Sequence, residues 1–332
     1  MDYCGLTLDN PFLLAPMAGI TDSAFRSVCA GLGASLTYTE MVSARALVYG
    51  DRKSATLMAI EPDHRPCALQ LFGSDPDIMA KGARMAYDMA RPEIIDLNMG
   101  CPVPKIVGNG EGSALMRDPV LAGRIIAAVS AAVPVPVTVK FRKGYGSGEN
   151  TAAAFARMAQ SAGAAAVCVH GRTRSQMYSG TSDRAVIGAV KSALRIPVVA
   201  SGDAKSADDC LAILREASCD AVMIARGALG NPLIFRACRA LWAGETAPEA
   251  TAEALLDILE HHVALTCARK GEGRAMPELR KHALWYLGRL RGAKPFKAAM
   301  SRVSTRADFQ AVLLEVRAAG LTLKEDTSLP PT

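Results

Sequence analysis

The run Ile94–Gly100, IIDLNMG, decides the fold. It is nearly continuously apolar at first, ends in Asn, Met and Gly, and is too short for a helix. A parallel strand buried on both sides reads this way. The same kind of run recurs every 25 to 35 residues. Before it stand Phe12–Ala18 (FLLAPMA), Leu36–Val42 (LTYTEMV) and Cys67–Gly73 (CALQLFG). After it come Val137–Arg142 (VTVKFR), Ala165–Gly171 (AAVCVHG), Pro197–Asp203 (PVVASGD) and Ala221–Gly227 (AVMIARG). Helical stretches lie between them, among them Asp75–Ala90, Asp118–Val133, Asn150–Ala162, Ser182–Ala193 and Ser206–Ala217, several opening on Asp, Ser or Asn caps. Eight β-then-α units predict an α/β chain folded as a (β/α)8 TIM barrel that closes near residue 235. A doubly wound sheet is the alternative, but no reversal point and no Rossmann glycine fingerprint is present.

Each of these strands ends in chemistry. Met17, Glu40, Gln70, Asn98, Lys140, His170, Asp203 and Arg226 fall at or near strand C-termini, which in a barrel converge on the catalytic face. Beyond the linker Trp242–Glu249 (WAGETAPE) the pattern is helical, with Leu255, Leu256, Leu259, His262 and Val263 on one period. A second helix is expected from Glu278 to Leu290 and a third from Pro295. The expected organisation is a catalytic barrel over 1–240, a helical domain over 245–325 and a loose tail over 326–332.

Half of the 332 residues are hydrophobic, enough for a sizeable core, and no segment reads as a membrane span or a secretory signal. The nine cysteines are scattered, odd in number and without a C-x-x-C pair. That speaks against a zinc site or disulfide scaffold and for a reducing cytoplasm. No His or carboxylate partners lie at ligand spacing, so no metal is expected. The net charge of +6 is uneven: Lys270–Arg306 carries ten Lys or Arg against two acids, a net +8, leaving the remainder at −2. A basic segment on a slightly acidic body points to a polyanionic partner.

Within the loops, Asn98-Met-Gly-Cys-Pro102 is the sharpest signal. Gly100 and Pro102 hold Cys101 in a tight loop rather than in a core. A nucleophilic Cys needs a base beside it, whereas a proton donor needs only a thiol near its usual pKa of ~8.5. Lys140 at the barrel mouth suits stabilisation of negative charge on a reduced cofactor ring. Gln70 can both donate and accept, matching the edge of an isoalloxazine. His170 stands at a strand end where Gly171 allows close backbone approach. The glycine loops Ser201-Gly202-Asp203 and Ala225-Arg226-Gly227 suit a phosphate, as loops of the last two strands commonly do.

Together these motifs resemble the tRNA-dihydrouridine synthase family along nearly the whole chain, most closely its bacterial B-type subgroup. The resemblance rests on Ala15–Arg26 (APMAGITDSAFR), CALQLFG, Asp96–Lys105 (DLNMGCPVPK), Gly110–Pro119 (GEGSALMRDP) and VKFRKG. His170–Gly180 (HGRTRSQMYSG), SGD, Asp220–Pro232 (DAVMIARGALGNP) and Pro277–Lys294 (PELRKHALWYLGRLRGAK) complete it. It implies FMN as cofactor and NADPH as electron donor. It implies FMN contacts at Pro16, Met17, Ala18, Gln70, Lys140, His170, Ser201, Gly202, Asp203, Ala225 and Arg226. Hydride then passes from flavin N5 to uracil C6 of a flipped-out uridine, and Cys101 protonates C5. Asn98 is expected on the base, with tRNA phosphates on Arg289, Arg291 and Lys294 of the helical domain. The chain departs from the family in carrying Ser201 where Asn is usual and Ala225 where Gly is frequent. Ser201 still hydrogen-bonds, with shorter reach, and a methyl at Ala225 leaves its N–H open to a phosphate. A monomer acting in the cytoplasm is the expected state. Two other functions compete: a flavin barrel reducing a free pyrimidine, which needs no basic helical domain, and a non-catalytic RNA-binding regulator, which needs none of Cys101, Lys140 or Gln70.

Overall fold

The computed structural model describes residues 1–324; the tail expected over 326–332 lies outside the described residues. Eight parallel strands form the barrel: β1 Phe12–Leu14, β2 Thr37–Tyr38, β3 Cys67–Phe72, β4 Ile94–Met99, β5 Val137–Gly144, β6 Ala166–Thr173, β7 Val198–Ser201 and β8 Ala221–Ile224. From β2 to β8 each pairs with the next in chain order, and β8 pairs with β1. The ring closes where Leu13 bridges Leu36 and the Leu14 N–H donates to the Leu36 carbonyl at 2.9 Å. The barrel expected from the strand spacing is therefore the fold.

The alternation of side chains along each strand sorts the residues. One set faces outward into a layer of helices; Leu69, Leu71, Ile95, Leu97, Val139 and Val167 belong to it. The other set faces the barrel axis. There Leu13, Tyr38, Ala68, Ile94, Ala166, Cys168, Val199, Ala221 and Met223 pack together. A hairpin of Asp2–Tyr3 and Leu6–Thr7, not anticipated from the sequence, adds Tyr3 and Leu8 to this inner cluster. The Tyr3 hydroxyl lies 3.5 Å from that of Tyr38.

Three expected barrel elements differ in detail. The run Leu36–Val42 is not one strand: Thr37–Tyr38 pairs with Cys67–Ala68, and Val42–Ser43 pairs separately with Leu71–Phe72. Between them the Thr39 hydroxyl accepts the Gln70 N–H at 3.1 Å and donates to the Glu40 carbonyl at 2.8 Å. A side chain thus takes the place of a ladder carbonyl, and the strand breaks there. The helices expected from Asn150 and Ser182 begin at Ala152 and Arg184, with Thr151 and Asp183 as N-caps.

The C-terminal segment folds as helices Ala252–Lys270, Glu272–Gly288, Lys294–Met300 and Arg306–Ala318 around their own apolar cluster, which includes Leu259, Met276, Leu279, Phe309 and Leu313. The second helix starts six residues before the expected Glu278, with Pro277 inside it. Complete burial of Ala275 and Met276 outweighs the hydrogen bond that proline removes. Phe25 of the barrel packs on His262 and His282 with ring centroids 5.4 and 5.3 Å apart, and Lys270 pairs with Asp22. Part of the basic charge thus ties the helices down: Lys270 and Arg274 also pair with Glu278, and the Lys281 ammonium donates to the Gly19 carbonyl. Among the described residues no helix is long and apolar enough to cross a membrane.

Candidate active site

At the C-terminal ends of the strands the inward-facing positions open into a cleft of about 440 Å³. Strand parity explains its lining. Gln70 follows Ala68 by two residues, Asn98 follows Asp96 and Ile94, Lys140 follows Thr138, His170 follows Cys168, and Ala225 follows Met223. Every residue expected at the cofactor lines this cleft: Pro16, Met17, Ala18, Gln70, Lys140, His170, Ser201, Gly202, Asp203, Ala225 and Arg226, together with Asn98 and Cys101. Arg289 lies instead on a separate cavity, while Arg291 and Lys294 are exposed elsewhere on the helical segment.

Below the cleft floor a chain of hydrogen bonds fixes the polar side chains. Asp96 accepts from the Thr138 hydroxyl at 2.6 Å and from Gln70 Nε2 at 2.7 Å. Gln70 Oε1 accepts from Asn98 Nδ2 at 2.9 Å. Asn98 Oδ1 in turn accepts the backbone N–H groups of Gly100 at 3.1 Å and Cys101 at 2.9 Å. A carboxylate at one end accepts only, so it orients both amides in sequence. Gln70 keeps one N–H and one lone pair for a ligand. Asn98 is spent mainly on holding the Cys101 loop, a duty beyond the base contact expected of it. Arg142 adds a second clamp, donating from Nε to the Gly100 carbonyl at 2.8 Å and from Nη1 to the carbonyls of Thr173 and Met177.

The Cys101 thiol is half-buried, and burial raises its pKa above the usual thiol value against the opposing pull of the Val103 N–H, Arg142 and Lys140. It is therefore a protonated thiol at neutral pH. Among the described residues no imidazole hydrogen-bonds the thiol, and His170 Nδ1 accepts the Arg172 N–H at 3.2 Å. Burial, with Lys140, Arg142, Arg172 and Arg226 nearby, drives the His170 pKa well down, so its ring is neutral and carries its proton on Nε2.

On the opposite rim Asp203 sits in the left-handed region at φ 56°. Its carboxylate takes both oxygens to Arg172 Nη2 at 2.8 Å and accepts the Ser182 N–H at 2.7 Å. Burial works against its ionisation, yet the Ser182 N–H and the Arg172 guanidinium hold its pKa below the usual carboxylate value. Gly202, at φ 116°, has no room for a side chain: a Cβ would meet the Ser182 hydroxyl at 2.5 Å. At Gly227 it would meet the Ala204 carbonyl at 2.2 Å. The Arg226 guanidinium lies over the Tyr178 ring, 4.9 Å from its centroid. Asp96, Arg142, Arg172 and Tyr178 are thus part of the site's architecture although the sequence reading did not single them out. The first three share the parity of Asn98, Lys140 and His170, which is the signal that finds them.

The buried Asp96 gives a pH signature. Burial pushes its carboxyl up to about 6, against the Gln70 and Thr138 hydrogen bonds and the Lys140 charge. The folded chain therefore holds this proton more tightly than the unfolded chain, whose carboxyl titrates near ~3.9. Stability is lost as pH rises between those two values, by about 3 kcal/mol in all. Asp96→Asn keeps an acceptor for Gln70 and lets its own N–H reach the Thr138 hydroxyl. Its unfolding free energy relative to the parent should climb across pH 4 to 6 by roughly that amount, measured by denaturant titration. A pH-independent difference would refute the buried-acid assignment.

Comparison with known proteins agrees with this architecture. Residues 13–320 match the family model described as dihydrouridine synthase. A tRNA-dihydrouridine synthase B from Pseudomonas putida is 40% identical over 313 residues, covering 94% of this chain and 92% of that protein. One of the same name from Xanthomonas axonopodis is 42% identical over 296 residues, covering 88% of each. Among solved structures, a histamine dehydrogenase from Rhizobium shares the fold at TM-score 0.57 and 12% identity over 80% of this chain, which spans 50% of that one. A barrel whose strand ends gather the Asn98–Cys101 loop, Lys140 and His170 on one cleft, matched over nearly all its length by these sequences, belongs to the dihydrouridine synthase family.

Proposed function

We propose that this chain reduces uridine in tRNA to 5,6-dihydrouridine, taking electrons from NADPH through a bound FMN. The observation that carries the reading is the meeting of a protonated Cys101 thiol, Lys140 and a neutral His170 on one cleft of a chain in this family. The residues present fit FMN. The cleft falls within the ~300–1,000 Å³ typical of small-molecule sites. Gln70 retains one donor and one acceptor for a heteroaromatic edge, and His170 presents an Nε2–H. The crowded glycines 202 and 227 keep the phosphate-side backbone free of side chains, with the Arg226 fork beside them.

When bound, FMN supplies the hydride that saturates uracil C6. The chain's own residues do the rest. Lys140 places a cation where negative charge develops. Asn98 and Arg142 hold the Cys101 loop at the cleft, and the thiol gives its proton to uracil C5, recovering it from solvent through its exposed side. His170, neutral, donates a hydrogen bond without drawing a proton away. The barrel over 1–240 is the catalytic domain in this reading, and the helices of 245–325 are the tRNA-binding domain, with Trp285 reaching the cleft rim. The nine free, scattered cysteines fit such an enzyme working in a reducing cytoplasm.

The test is direct. Purified protein should be yellow, its flavin bands should bleach under NADPH without oxygen, and unmodified tRNA should restore them. Colourless protein that takes up no FMN, or flavin reoxidised by free uracil or orotate and not by tRNA, would refute the proposal.

A further inference from the structure

Next to the cleft, and joined to it at Lys205, lies a second cavity of about 240 Å³ between the barrel and the helical segment. Four of its lining residues are cations, Lys205, Arg236, Arg289 and Lys324, and none among the described residues is an acid. The remaining wall is mostly apolar, with Pro248 and Leu255 among its residues. The contrast with the third cavity is informative. That one, about 790 Å³, also faces Arg269, Lys270, Arg274 and Lys281, but it is lined as well by Asp22, Glu40, Glu61 and Glu278. Three of its four cations are paired within the protein, Lys270 with Asp22 and Glu278, Arg269 with Asp63 and Arg274 with Glu278, while Lys281 donates to the Gly19 carbonyl. In the second cavity, no ion pair to Arg236 or Lys324 occurs among the described residues, and the Lys324 ammonium donates only to the Gly288 carbonyl, at 2.7 Å.

Lys205, Arg236 and Lys324 alone suffice for a charge effect: cations gathered on a concave, partly apolar wall repel one another, and the low-dielectric surroundings focus their field. Such an arrangement is stabilised by an anion that enters it. The chain elements are brought from distant sequence positions, the helix Leu233–Trp242 and the residues after Arg306–Ala318, so the charge is a product of the tertiary fold rather than of one basic run.

We propose that this cavity is a phosphate subsite for the tRNA backbone, holding the strand beside the nucleotide that enters the cleft. The inference rests on the tRNA reading above and adds to it a place and a set of residues. Lys205 lines both cavities and so links the reacting site to the backbone site. Arg289 is the one expected tRNA contact that the fold brings to this wall.

The test uses Arg236→Gln/Lys324→Gln in the flavin-loaded, full-length protein, since Gln keeps much of each stem while removing the charge. Binding to unmodified tRNA should weaken. The slope of log affinity against log salt should fall by roughly 0.7–0.9 for each phosphate left without its cation, hence about 1.5 for the pair. Flavin reduction by NADPH should not change, and Arg236→Lys should keep the parent slope. An unchanged affinity and slope in the folded double variant overturns the inference. A raised KM for NADPH with tRNA binding intact also overturns it and assigns the cavity to the dinucleotide. Parent protein that binds no tRNA at all overturns the functional reading together with the inference, an outcome distinct from a parent that binds and a variant that binds equally well.

Discussion

Cys101→Ala should slow reduction of tRNA uridine by about 10²- to 10⁴-fold, the usual contribution of a positioned general acid, while flavin content, flavin reduction by NADPH and tRNA affinity stay at parent values. Hydride addition to C6 leaves negative charge spread from C5 to the C4 carbonyl, and C5 must then receive a proton. In the proposed reaction the thiol is the acid: half-buried, with its pKa raised by burial. It stays protonated through neutral pH, so the rate of this step should be flat there and decline only above the raised thiol pKa. Cys101→Ser should recover little, because an alcohol is a far weaker acid. Single-turnover kinetics decide the matter. A parent-like rate in Cys101→Ala removes the residue from the chemistry. Loss of flavin from the variant makes it a structural residue, one whose carbonyl accepts the Ser113 N–H at 3.0 Å.

Much of this site was legible in the sequence because parallel strands buried on both faces leave a simple trace. Near-continuous apolar runs marked the barrel strands, and the residue closing seven of the eight runs marked the cleft; Glu40 faces the neighbouring larger cavity instead. What the sequence could not show was decided by partners far along the chain. Strand two breaks because the Thr39 hydroxyl finds the Gln70 N–H, 31 residues away. The N-terminal hairpin has strands of only two residues, and its place depends on Tyr3 meeting the inner cluster. Asp96 reads as an interior strand residue until Gln70 and Thr138 are seen to converge on it. Arg172 reads as part of a motif until Asp203 is seen opposite. The cations Arg289, Arg291 and Lys294 are neighbours in sequence, yet among the described residues Arg289 lines the cavity beside Lys205 while Arg291 and Lys294 do not.

Arg172→Ala should be among the most destabilising single changes in the barrel. Arg172 is 2% exposed, and its Nη2 donates to both Asp203 oxygens and, at 2.6 Å, to the Gly180 carbonyl, while Nε donates to the Ser179 carbonyl at 3.0 Å. It pins the loop 174–182 against the strand-seven turn. Removing it strands the Asp203 carboxylate beside the phosphate loop and frees the segment bearing Tyr178. Breaking a buried pair from one side costs about 3–5 kcal/mol, and FMN affinity should fall with it because an unpaired carboxylate repels a phosphate. Arg172→Ala/Asp203→Ala should regain part of both losses, as the stranded charge is gone. Arg172→Lys should not, since an ammonium cannot reproduce the planar fork. Denaturant unfolding and flavin titration across the three variants check this. Full additivity of the two single changes would mean that the pair is not coupled.

In the proposed reaction this barrel passes reducing equivalents from NADPH through FMN to tRNA. Protein carrying FMN is reduced with one equivalent of NADPH under anaerobic conditions, freed of nucleotide, and mixed with tRNA lacking modifications. Flavin absorbance and dihydrouridine in the digested tRNA are followed together. The flavin is expected to reoxidise with one rate constant, with one dihydrouridine appearing per flavin at that same rate. A flavin that stays reduced in the presence of tRNA, or reoxidises without forming dihydrouridine, would contradict it.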